Sequence, residues 1–385
     1  MQRRISFDKN HKEEAITQMI GVRADANDTI ASGHIMRCIT IAGELIAAGC
    51  KVLFFTADEH AGEILKNAGM QYVCLHTDWS HMEGEIHELR RQLLAAGCKK
   101  LIVDSYQVTE KYFRDLSDVC TLIYLDDCFE RVYPVDMVVN YNAYHMRFPY
   151  EEAYADTAKL LLGTAYVPLR EEFGDRAHDA ALRGVPPLDG KNADSMADTH
   201  ILLSSGGGDI CNALVGILSE AMADETLRNM TYDVVVGRFN GNGEELAALV
   251  KAHSNIRIHE HVDYMARLMQ GCTAAVSAAG TTLYELCAMR VPTVFFACAD
   301  NQQYDCEFFS SEERMLCAGD IRSDRERCLK RICGNLKRIL EDEEMRKKMK
   351  EKLGEVTDGK GARRIAEEII RLKKIDTAGI NVYEV

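Results

Sequence analysis

The chain has 385 residues, a hydrophobic content of 47% and a formal net charge of −14. This length predicts two α/β domains, and the acidic balance disfavours nucleic acid and anionic membranes as partners. No run approaches the roughly 20 apolar residues that span a bilayer, so stable membrane insertion is not expected. The charged start of the chain lacks the apolar region of a secretory signal, and the fourteen cysteines form no C-x-x-C pair. Both features favour a cytosolic protein with reduced thiols.

Short apolar runs alternate with amphipathic stretches in the first half of the chain, which predicts a parallel, doubly wound sheet. The runs that predict strands cover residues 19–23, 52–56, 72–75, 101–103, 122–125 and 137–139. The clearest helical patterns cover residues 33–48 and 81–96. In the first of these helices, apolar residues recur at helical spacing and predict one buried face. This face would contain Ile35, Cys38, Ile39, Ala42 and Ile46.

Residues 171–199 interrupt this alternation and are rich in Pro, Gly, Asp and Ala, as a linker or a surface insertion would be. Apolar runs then resume at residues 201–204, 233–236, 256–258, 274–277 and 293–296. The end of the chain is helical and strongly charged, with a break at Gly359–Gly361. We therefore expect an extension (1–18), a Rossmann-like domain (19–170), the linker (171–199), a second Rossmann-like domain (200–358), and a C-terminal helix and tail (359–385). The final helix could pack back on the first domain.

The first predicted strand leads into the segment GVRADANDTIASGHIMRC, and doubly wound sheets bind ligands at the carboxyl ends of their strands. The segment lacks the G-x-G-x-x-G fingerprint, and the chain has no Walker motif, so NAD and ATP are disfavoured. Gly33 allows close backbone approach, His34 follows in the first helical turn, and Arg37 lies one turn later. The positive end of the helix dipole disfavours protonation of His34 and would keep it available as a general base. Local capping or packing by His34 is the alternative interpretation.

A glycine-rich segment, SSGGGD, opens the second predicted domain after an apolar run. Backbone N–H groups at Gly206, Gly207 and Gly208 could face an anion, with a helix N-terminus behind them. A plain strand–helix turn is the alternative, in which Asp209 is the N-cap of the helix.

A second candidate loop lies in the segment AAGTTLYELCAMRVPTV. A tight turn at Gly280 would expose the N–H groups and hydroxyls of Thr281 and Thr282 to a phosphate or a sugar. Glu285 follows in the same helix, and its carboxylate could accept two hydrogen bonds from a ribose diol. Complementing the helix dipole is the alternative role of Glu285.

After the next apolar run, Asp300-Asn301-Gln302-Gln303 places polar amides where the cleft is expected. Asp104-Ser105-Tyr106 and Asp126-Asp127, which end apolar runs in the first domain, are weaker candidates. The paired acids 126 and 127 could bind a metal or sugar hydroxyls, although such pairs more often cap a following helix.

Several motifs occur together and in a fixed order: GVRADANDTIASGHIMRC, VDSY, LDD, LLGTAYVPLREEF, LLSSGGGD, AAGTTLYELCAMRVPTV and an NQ pair. As a set, over residues 19 to 370, they resemble the UDP-2,4-diacetamido-2,4,6-trideoxy-β-L-altropyranose hydrolases of pseudaminic acid biosynthesis and related spore-coat polysaccharide proteins. The resemblance implies a GT-B fold, with two Rossmann-like domains facing across a cleft, and UDP held mostly by the second. It also implies that His34 is catalytic, that Arg170 contacts substrate and that Glu285 belongs to the G-T-T-x-x-E-L segment.

The candidate residues fall into three groups. The catalytic candidate is His34. The candidates for substrate binding are Arg23, Arg37, Tyr106, Asp127, Arg170, Asn301 and Gln302. The candidates for UDP binding are Gly207, Gly208, Asp209, Val262, Gly280, Thr281, Thr282 and Glu285. No metal and no cofactor are expected.

The predicted reaction is hydrolysis of a UDP-sugar at its anomeric carbon with inversion, in which His34 deprotonates the attacking water. Helix N-termini would hold the pyrophosphate. Three alternatives remain: a glycosyltransferase with an acceptor hydroxyl in place of water, a UDP-sugar 2-epimerase, and a non-catalytic subunit that binds a nucleotide sugar.

Overall fold

The computed structural model describes residues 18–375, except 28, 31, 175–198, 207, 208, 210, 238–242, 261, 263 and the side chain of residue 301. The chain divides into two compact units. The first contains the described residues up to Pro168 and from Lys360 to Ile375, and the second contains the described residues of Leu169–Gly359. Among the described residues, no helix is both long enough and apolar enough to cross a membrane.

The first unit contains a seven-stranded parallel sheet in the order β3-β2-β1-β4-β5-β6-β7. Its strands are β1 (Met19–Ala24), β2 (Lys51–Thr56), β3 (Tyr72–Cys74), β4 (Lys100–Asp104), β5 (Thr121–Leu125), β6 (Met137–Asn140) and β7 (Lys159–Leu162). The central strands are buried almost throughout, as expected for a parallel sheet covered on both faces.

The α-helices described in the first unit are α1 (Gly33–Ala47), α2 (Gly62–Asn67), α3 (Ile86–Ala96), α4 (Glu110–Leu116), α5 (Tyr150–Tyr154) and, from the end of the chain, α13 (Gly361–Arg371). Short 3₁₀ helices cover Met82–Glu85, His145–Arg147 and Thr164–Tyr166.

The buried face of α1 differs from the predicted one. Ile35, Cys38 and Ala42 are buried as expected, but Ile46 is 46% exposed. The face is completed instead by Ile41 and Leu45, which are fully buried. Ile39 is partly buried against the same core. The buried side of α1 also carries His34 and Arg37, and α1 packs against α13 as well as against the sheet.

The C-terminal helix α13 packs on α1 within the first unit, where Ile365 and Ile369 join the core beside Ile41. The buried Lys100 ammonium fixes its last turn by donating to the carbonyl oxygens of Ile369 and Ile370 at 2.6 and 2.8 Å. Carbonyl groups at a helix C-terminus have no partner within the helix. Lys100 donates to that of Ile370 and adds a second donor to that of Ile369, which also accepts from the N–H of Leu372 at 3.2 Å.

The second unit contains a six-stranded parallel sheet in the order β10-β9-β8-β11-β12-β13. Its strands are β8 (His200–Ser204), β9 (Thr231–Val236), β10 (Ile256–Glu260), β11 (Ala274–Ala278), β12 (Thr293–Ala297) and β13 (Leu316–Asp320). The described α-helices are α6 (Ala213–Ala223), α7 (Gly243–Ala252), α8 (Met265–Gln270), α9 (Thr281–Ala288), α10 (Gln303–Ser310), α11 (Arg325–Glu341) and α12 (Glu343–Gly354). Short 3₁₀ helices cover Glu171–Phe173, Leu227–Asn229, Asp300–Gln302 and Ser311–Glu313.

The sequence did not predict two strands, β7 and β13. Each is the last strand at one edge of its sheet. Their sequences, KLLL and LCAGD, are short and contain lysine, glycine or aspartate, which are depleted in strands. Edge strands are only half covered, so their sequences need less apolar character than central ones.

Candidate active site

Each sheet reverses its strand order at one central strand. In the first unit β1 lies between β2 and β4, and in the second β8 lies between β9 and β11. Doubly wound sheets bind ligands beyond the carboxyl ends of the strands at such a point. The segment after β1 leads to His34, and the segments after β8 and β11 contain Gly206 and Gly280. The predicted loops of each unit therefore lie at the reversal point of that unit's own sheet.

His34 lies in the first turn of α1 and is held by the neighbouring strand. Its Nδ1 lies 2.6 Å from Oδ1 of Asp104, the last residue of β4. The ring of Tyr106 meets the imidazole edge to face, with ring centres 4.7 Å apart. A carboxylate on one ring nitrogen fixes the ring orientation and leaves Nε2 for chemistry. This arrangement suits a general base.

Asp104 is a buried carboxylate with strong partners. Burial disfavours its ionisation, but Arg37 and His34 outweigh burial and lower the pKa of Asp104 below its usual value. The Arg37 guanidinium forms a fork on both carboxylate oxygens, at 2.6 and 2.5 Å. Asp104 is therefore ionised across the neutral range. The sequence named Asp104 only within a weaker candidate segment and gave it no role.

Two arginines that the sequence predicted to bind substrate are buried and paired with carboxylates. Arg23 was expected to bind substrate, yet it is fully buried, with Glu85 carboxylate oxygens 2.6 and 2.7 Å from its Nε and Nη2. Its Nη1 donates to Asp25. Arg37 is only 8% exposed and is likewise committed to carboxylates. Neither guanidinium is presented to a ligand in this structure, because a buried arginine requires such partners.

Asp127 and Tyr106 belong to the same hydrogen-bond network as Arg37 and Asp104. The Tyr106 hydroxyl donates to Asp127 Oδ2 at 2.8 Å, and Tyr106 is 37% exposed. Asp127 also accepts from Arg37 and from the Asn142 side-chain amide, at 2.8 and 3.0 Å. Tyr106 thus remains able to touch a substrate, whereas Asp127 holds other side chains. Asn142, which the sequence analysis missed, follows the short predicted strand β6.

Asp126 shapes the turn after β5. Its Oδ1 accepts hydrogen bonds from the backbone N–H groups of Cys128 and Phe129, at 3.1 and 3.0 Å. Burial raises the pKa of Asp126. Among the residues that the structure describes, no group of three or more His, Cys, Asp or Glu side chains could hold a metal ion.

The glycine loop after β8 is described in part, since Gly207 and Gly208 lie outside the described residues. Gly206 has φ +80°, in the left-handed region that favours glycine. Asp209 is buried, and its two oxygens accept hydrogen bonds from the N–H groups of Ala213 and Leu214 at 2.8 and 3.0 Å. Its carboxylate therefore satisfies the first N–H groups of α6, although the N-cap residue of that helix is Asn212 and not Asp209.

The start of α9 fits the predicted phosphate site. Gly280 has φ +140°, and a side chain there would be strained. Thr281 is exposed and Thr282 is partly buried. The N-cap residue, Gly280, has no side chain with which to cap the helix, and the N–H of Leu283 donates to the Gly280 carbonyl at 2.9 Å. The N–H groups of Thr281 and Thr282 thus lie at the positive end of the helix dipole without an N-cap side chain.

Arg170 and Glu285 lie together in the second unit, although Arg170 was predicted at the end of the first domain. An Arg170 Nη2 lies 3.6 Å from Glu285 Oε1, and Nη1 lies 2.9 Å from Glu172 Oε1. Burial raises the pKa of Glu285 to about 7, although Arg170 opposes that shift. The Arg170 side chain is 33% exposed, so it can still reach a ligand.

In the polar segment after β12, one side chain forms hydrogen bonds with the backbone of its own loop. Gln302 Oε1 accepts hydrogen bonds from the backbone N–H groups of Cys298 and Ala299, at 2.7 and 3.2 Å. The side-chain oxygen of Gln302 therefore holds the loop, and these two hydrogen bonds do not involve its amide nitrogen. The side chain of Asn301 lies outside the described residues. Val262 is partly buried after β10, and both of its neighbours lie outside the described residues.

The two parallel sheets with these reversal points define a GT-B-like fold of two Rossmann-like domains, as the sequence predicted. Solved structures bear this out. A crystal structure of MurG from Acinetobacter baumannii matches 91% of this chain and 99% of its own, with a TM-score of 0.62 and 14% identity. The spinosyn rhamnosyltransferase SpnG in complex with thymidine diphosphate matches 91% of this chain and all of its own, with the same TM-score and identity.

Among curated proteins, the resemblance to the hydrolases is confirmed at low identity. The chain is 23% identical over 286 residues to the UDP-2,4-diacetamido-2,4,6-trideoxy-β-L-altropyranose hydrolase of Campylobacter jejuni, covering 73% of this chain and 92% of that protein. It is also 23% identical over 286 residues to an uncharacterized protein of Methanocaldococcus jannaschii, of which it spans 54%. No protein-family model matches the chain.

Proposed function

We propose that the protein hydrolyses a UDP-linked 2,4-diacetamido-2,4,6-trideoxy sugar at the anomeric carbon, with inversion, and releases UDP and the free sugar. The observation that carries this proposal is the contact of 2.6 Å between His34 Nδ1 and the ionised Asp104. It orients a histidine at the reversal point of the first sheet and leaves Nε2 to accept a proton. The likeness to the Campylobacter jejuni hydrolase over 92% of that protein supports the choice of sugar.

In the proposed step, His34 Nε2 takes a proton from water while the water oxygen forms a bond to C1 of the sugar. The C1–O bond breaks, and its electron pair leaves on the β-phosphate oxygen of UDP. His34 then loses its proton to solvent. UDP is a good leaving group, so the main requirements are to place the water and to stabilise the negative charge on the pyrophosphate.

The second unit supplies nucleotide binding in this proposal. The uncapped N–H groups of α9 at Thr281 and Thr282 bind phosphate oxygens. Ionised Glu285 accepts hydrogen bonds from the ribose diol, and the partly exposed Arg170 adds positive charge. The segment at Gly206 approaches the ligand through its backbone.

The test is an assay of UDP release from a panel of purified UDP-sugars with no acceptor present. A hydrolase releases UDP with the diacetamido sugar and retains this activity when no other sugar or lipid is added. His34→Asn provides the matched control for contaminating activity. No UDP release from any member of the panel would contradict the proposal.

A glycosyltransferase is the second candidate, because a spinosyn rhamnosyltransferase has this fold. It would release UDP rapidly only after an acceptor alcohol is added. The two remaining alternatives give other results in the same assay: a 2-epimerase changes the configuration at C2, which proton NMR of the sugar detects, and a non-catalytic subunit binds UDP without turnover.

A further inference from the structure

Arg37 lies one turn after His34 on α1, yet its guanidinium is directed at side chains of the first unit. Its Nε and Nη2 lie 2.6 and 2.5 Å from the two oxygens of Asp104. Its Nη1 donates to Asp127 Oδ2 at 2.8 Å and to the Tyr141 hydroxyl at 2.7 Å. All three nitrogen atoms of the guanidinium are therefore engaged. The residue holds other side chains in place.

Asp104 and Arg37 compete for the same nitrogen of the His34 ring. Asp104 Oδ1 lies 2.6 Å from Nδ1, whereas Arg37 Nη2 lies 3.2 Å from it. If Asp104 is the partner, Nδ1 carries the proton and Nε2 is free to act as a base. If Arg37 is the donor, the proton lies on Nε2 and the ring cannot accept one from water. The shorter contact, to a carboxylate, favours the first arrangement.

We propose that Arg37 is a positioning residue, which holds Asp104 as an anion so that Asp104 keeps the proton of His34 on Nδ1. The inference rests on the proposed function, in which Nε2 of His34 accepts the proton of water. The same guanidinium fixes Asp127, which accepts from the Tyr106 hydroxyl, and the Tyr106 ring lies against His34. One buried cation thus orients both the base and the aromatic ring beside it.

The charged and titratable groups around His34 come from each neighbouring element of the first unit. They are Arg37 and Cys38 on α1, Asp104 on β4, Tyr106 after β4, Asp127 after β5 and Tyr141 after β6. The Cys38 thiol donates to Asp104, and the two tyrosines are neutral near pH 7 because burial raises their pKa values. The electrostatic balance at His34 therefore depends on two carboxylates and one guanidinium.

Loss of the positive charge of Arg37 and loss of the negative charge of Asp104 should shift the acid limb of the pH profile of kcat/KM in opposite directions. Arg37→Met leaves two carboxylates unbalanced near the ring, which favours the imidazolium ion and moves the acid limb to higher pH. Asp104→Asn removes a negative charge and leaves the guanidinium, which moves the limb to lower pH. Asp104→Asn also lowers kcat/KM by about a hundredfold, at the low end of the range for general base catalysis. A role in packing alone would lower the rate of both variants and move neither limb.

Two further variants separate charge from packing. Arg37→Lys keeps the positive charge but loses the planar fork, so kcat falls while the acid limb stays near its wild-type position. Arg23→Met removes another buried arginine, which pairs with Glu85 and Asp25, and should leave the limb unmoved. A shift of equal size and direction in Arg23→Met would overturn the assignment to Arg37.

A direct readout uses the wild-type protein and requires no turnover. Ring ¹⁵N NMR, at a pH at which the imidazole ring is neutral, should show His34 with a protonated Nδ1 and an unprotonated Nε2. The His34 signals are identified by their loss in His34→Asn. A protonated Nε2 would overturn the inference even if UDP-sugar is hydrolysed. A protonated Nδ1 without hydrolysis of any UDP-sugar would leave the inference standing and contradict the proposed function.

Discussion

The guanidinium of Arg170 lies 3.6 Å from the carboxylate of Glu285, while its other terminal nitrogen lies 2.9 Å from Glu172. One cation is thus shared between two carboxylates. For Glu285 burial is the larger effect, so its pKa rises to about 7 in spite of Arg170. Glu285 therefore exchanges a proton near neutral pH, and both stability and nucleotide binding should depend on pH there.

The first prediction concerns stability. Glu285 binds a proton more tightly in the folded chain, with a pKa of about 7, than at its ordinary value of 4.5. Between these values the folded state holds more protons than the unfolded state, so the free energy of unfolding falls as pH rises through this window. The loss is at most about 3.5 kcal/mol, from about 1.4 kcal/mol per pKa unit. Thermal unfolding from pH 4 to 8 should show this fall in the wild type and a smaller one in Glu285→Gln. Identical dependence of thermal stability on pH in the wild type and in Glu285→Gln would contradict this prediction.

The second prediction concerns UDP affinity. Glu285→Gln should weaken UDP binding by about 1–3 kcal/mol, because a charged acceptor is replaced by a neutral amide. Glu172→Gln is the matched control, since it makes the same change beside the same arginine. Glu172 accepts instead from the backbone of Ala266, so its loss should affect UDP less. Calorimetry with equal UDP affinity in wild type and Glu285→Gln would remove Glu285 from the nucleotide site.

The parallel sheets and the loops at their reversal points could be predicted because periodicity and glycine placement are local properties. The pairing of His34 with Asp104 could not, because it joins residues 70 positions apart and depends on β4 lying beside β1. Arg23 and Arg37 were misassigned for a related reason: an arginine near a candidate histidine suggests substrate binding until its buried carboxylate partners are seen. Ile46 was misplaced because several helical registers fit the apolar residues of α1 almost equally well.

The third prediction concerns the docking of α13. Lys100→Met should destabilise the protein by about 1–3 kcal/mol, because the Ile370 carbonyl loses the ammonium donor and Ile369 keeps the N–H of Leu372 at 3.2 Å. The affected groups are the carbonyls of Ile369 and Ile370. Lys99, which is exposed, provides the control Lys99→Met. Hydrogen exchange should accelerate over residues 361–371 in Lys100→Met alone. Equal protection of this helix in both variants would show that Lys100 does not fix it.

The fourth prediction tests His34 itself. His34→Asn should lower kcat by at least about a hundredfold, because asparagine cannot take a proton near neutral pH. Thermal stability and UDP affinity should change little, since asparagine can still donate to Asp104. The exposed His81 gives the control His81→Asn, with wild-type activity expected. Retained activity together with a lower melting temperature would instead assign His34 to packing at the start of α1.

The fifth prediction identifies the bond that breaks. If His34 activates water for attack on C1, hydrolysis in ¹⁸O-enriched water places the label in the free sugar and none in UDP. Mass spectrometry of UDP is the decisive measurement, because the anomeric oxygen of a free sugar exchanges slowly with solvent while phosphate oxygens do not. An unreacted sugar standard incubated in the same water corrects for that exchange.

The same experiment with a chelator tests how the pyrophosphate charge is neutralised. The proposal assigns this role to the N–H groups at the start of α9 and to Arg170, so the rate should survive chelation. Label in UDP would mean attack at phosphorus and would contradict the anomeric mechanism. In that event Asp126, whose Oδ2 is buried without a hydrogen-bond partner among the described residues, and its neighbour Asp127 would become the candidates for binding a metal that activates phosphate. Alanine substitution of Asp126 should then abolish activity, whereas the anomeric mechanism predicts only the loss of a turn-stabilising side chain.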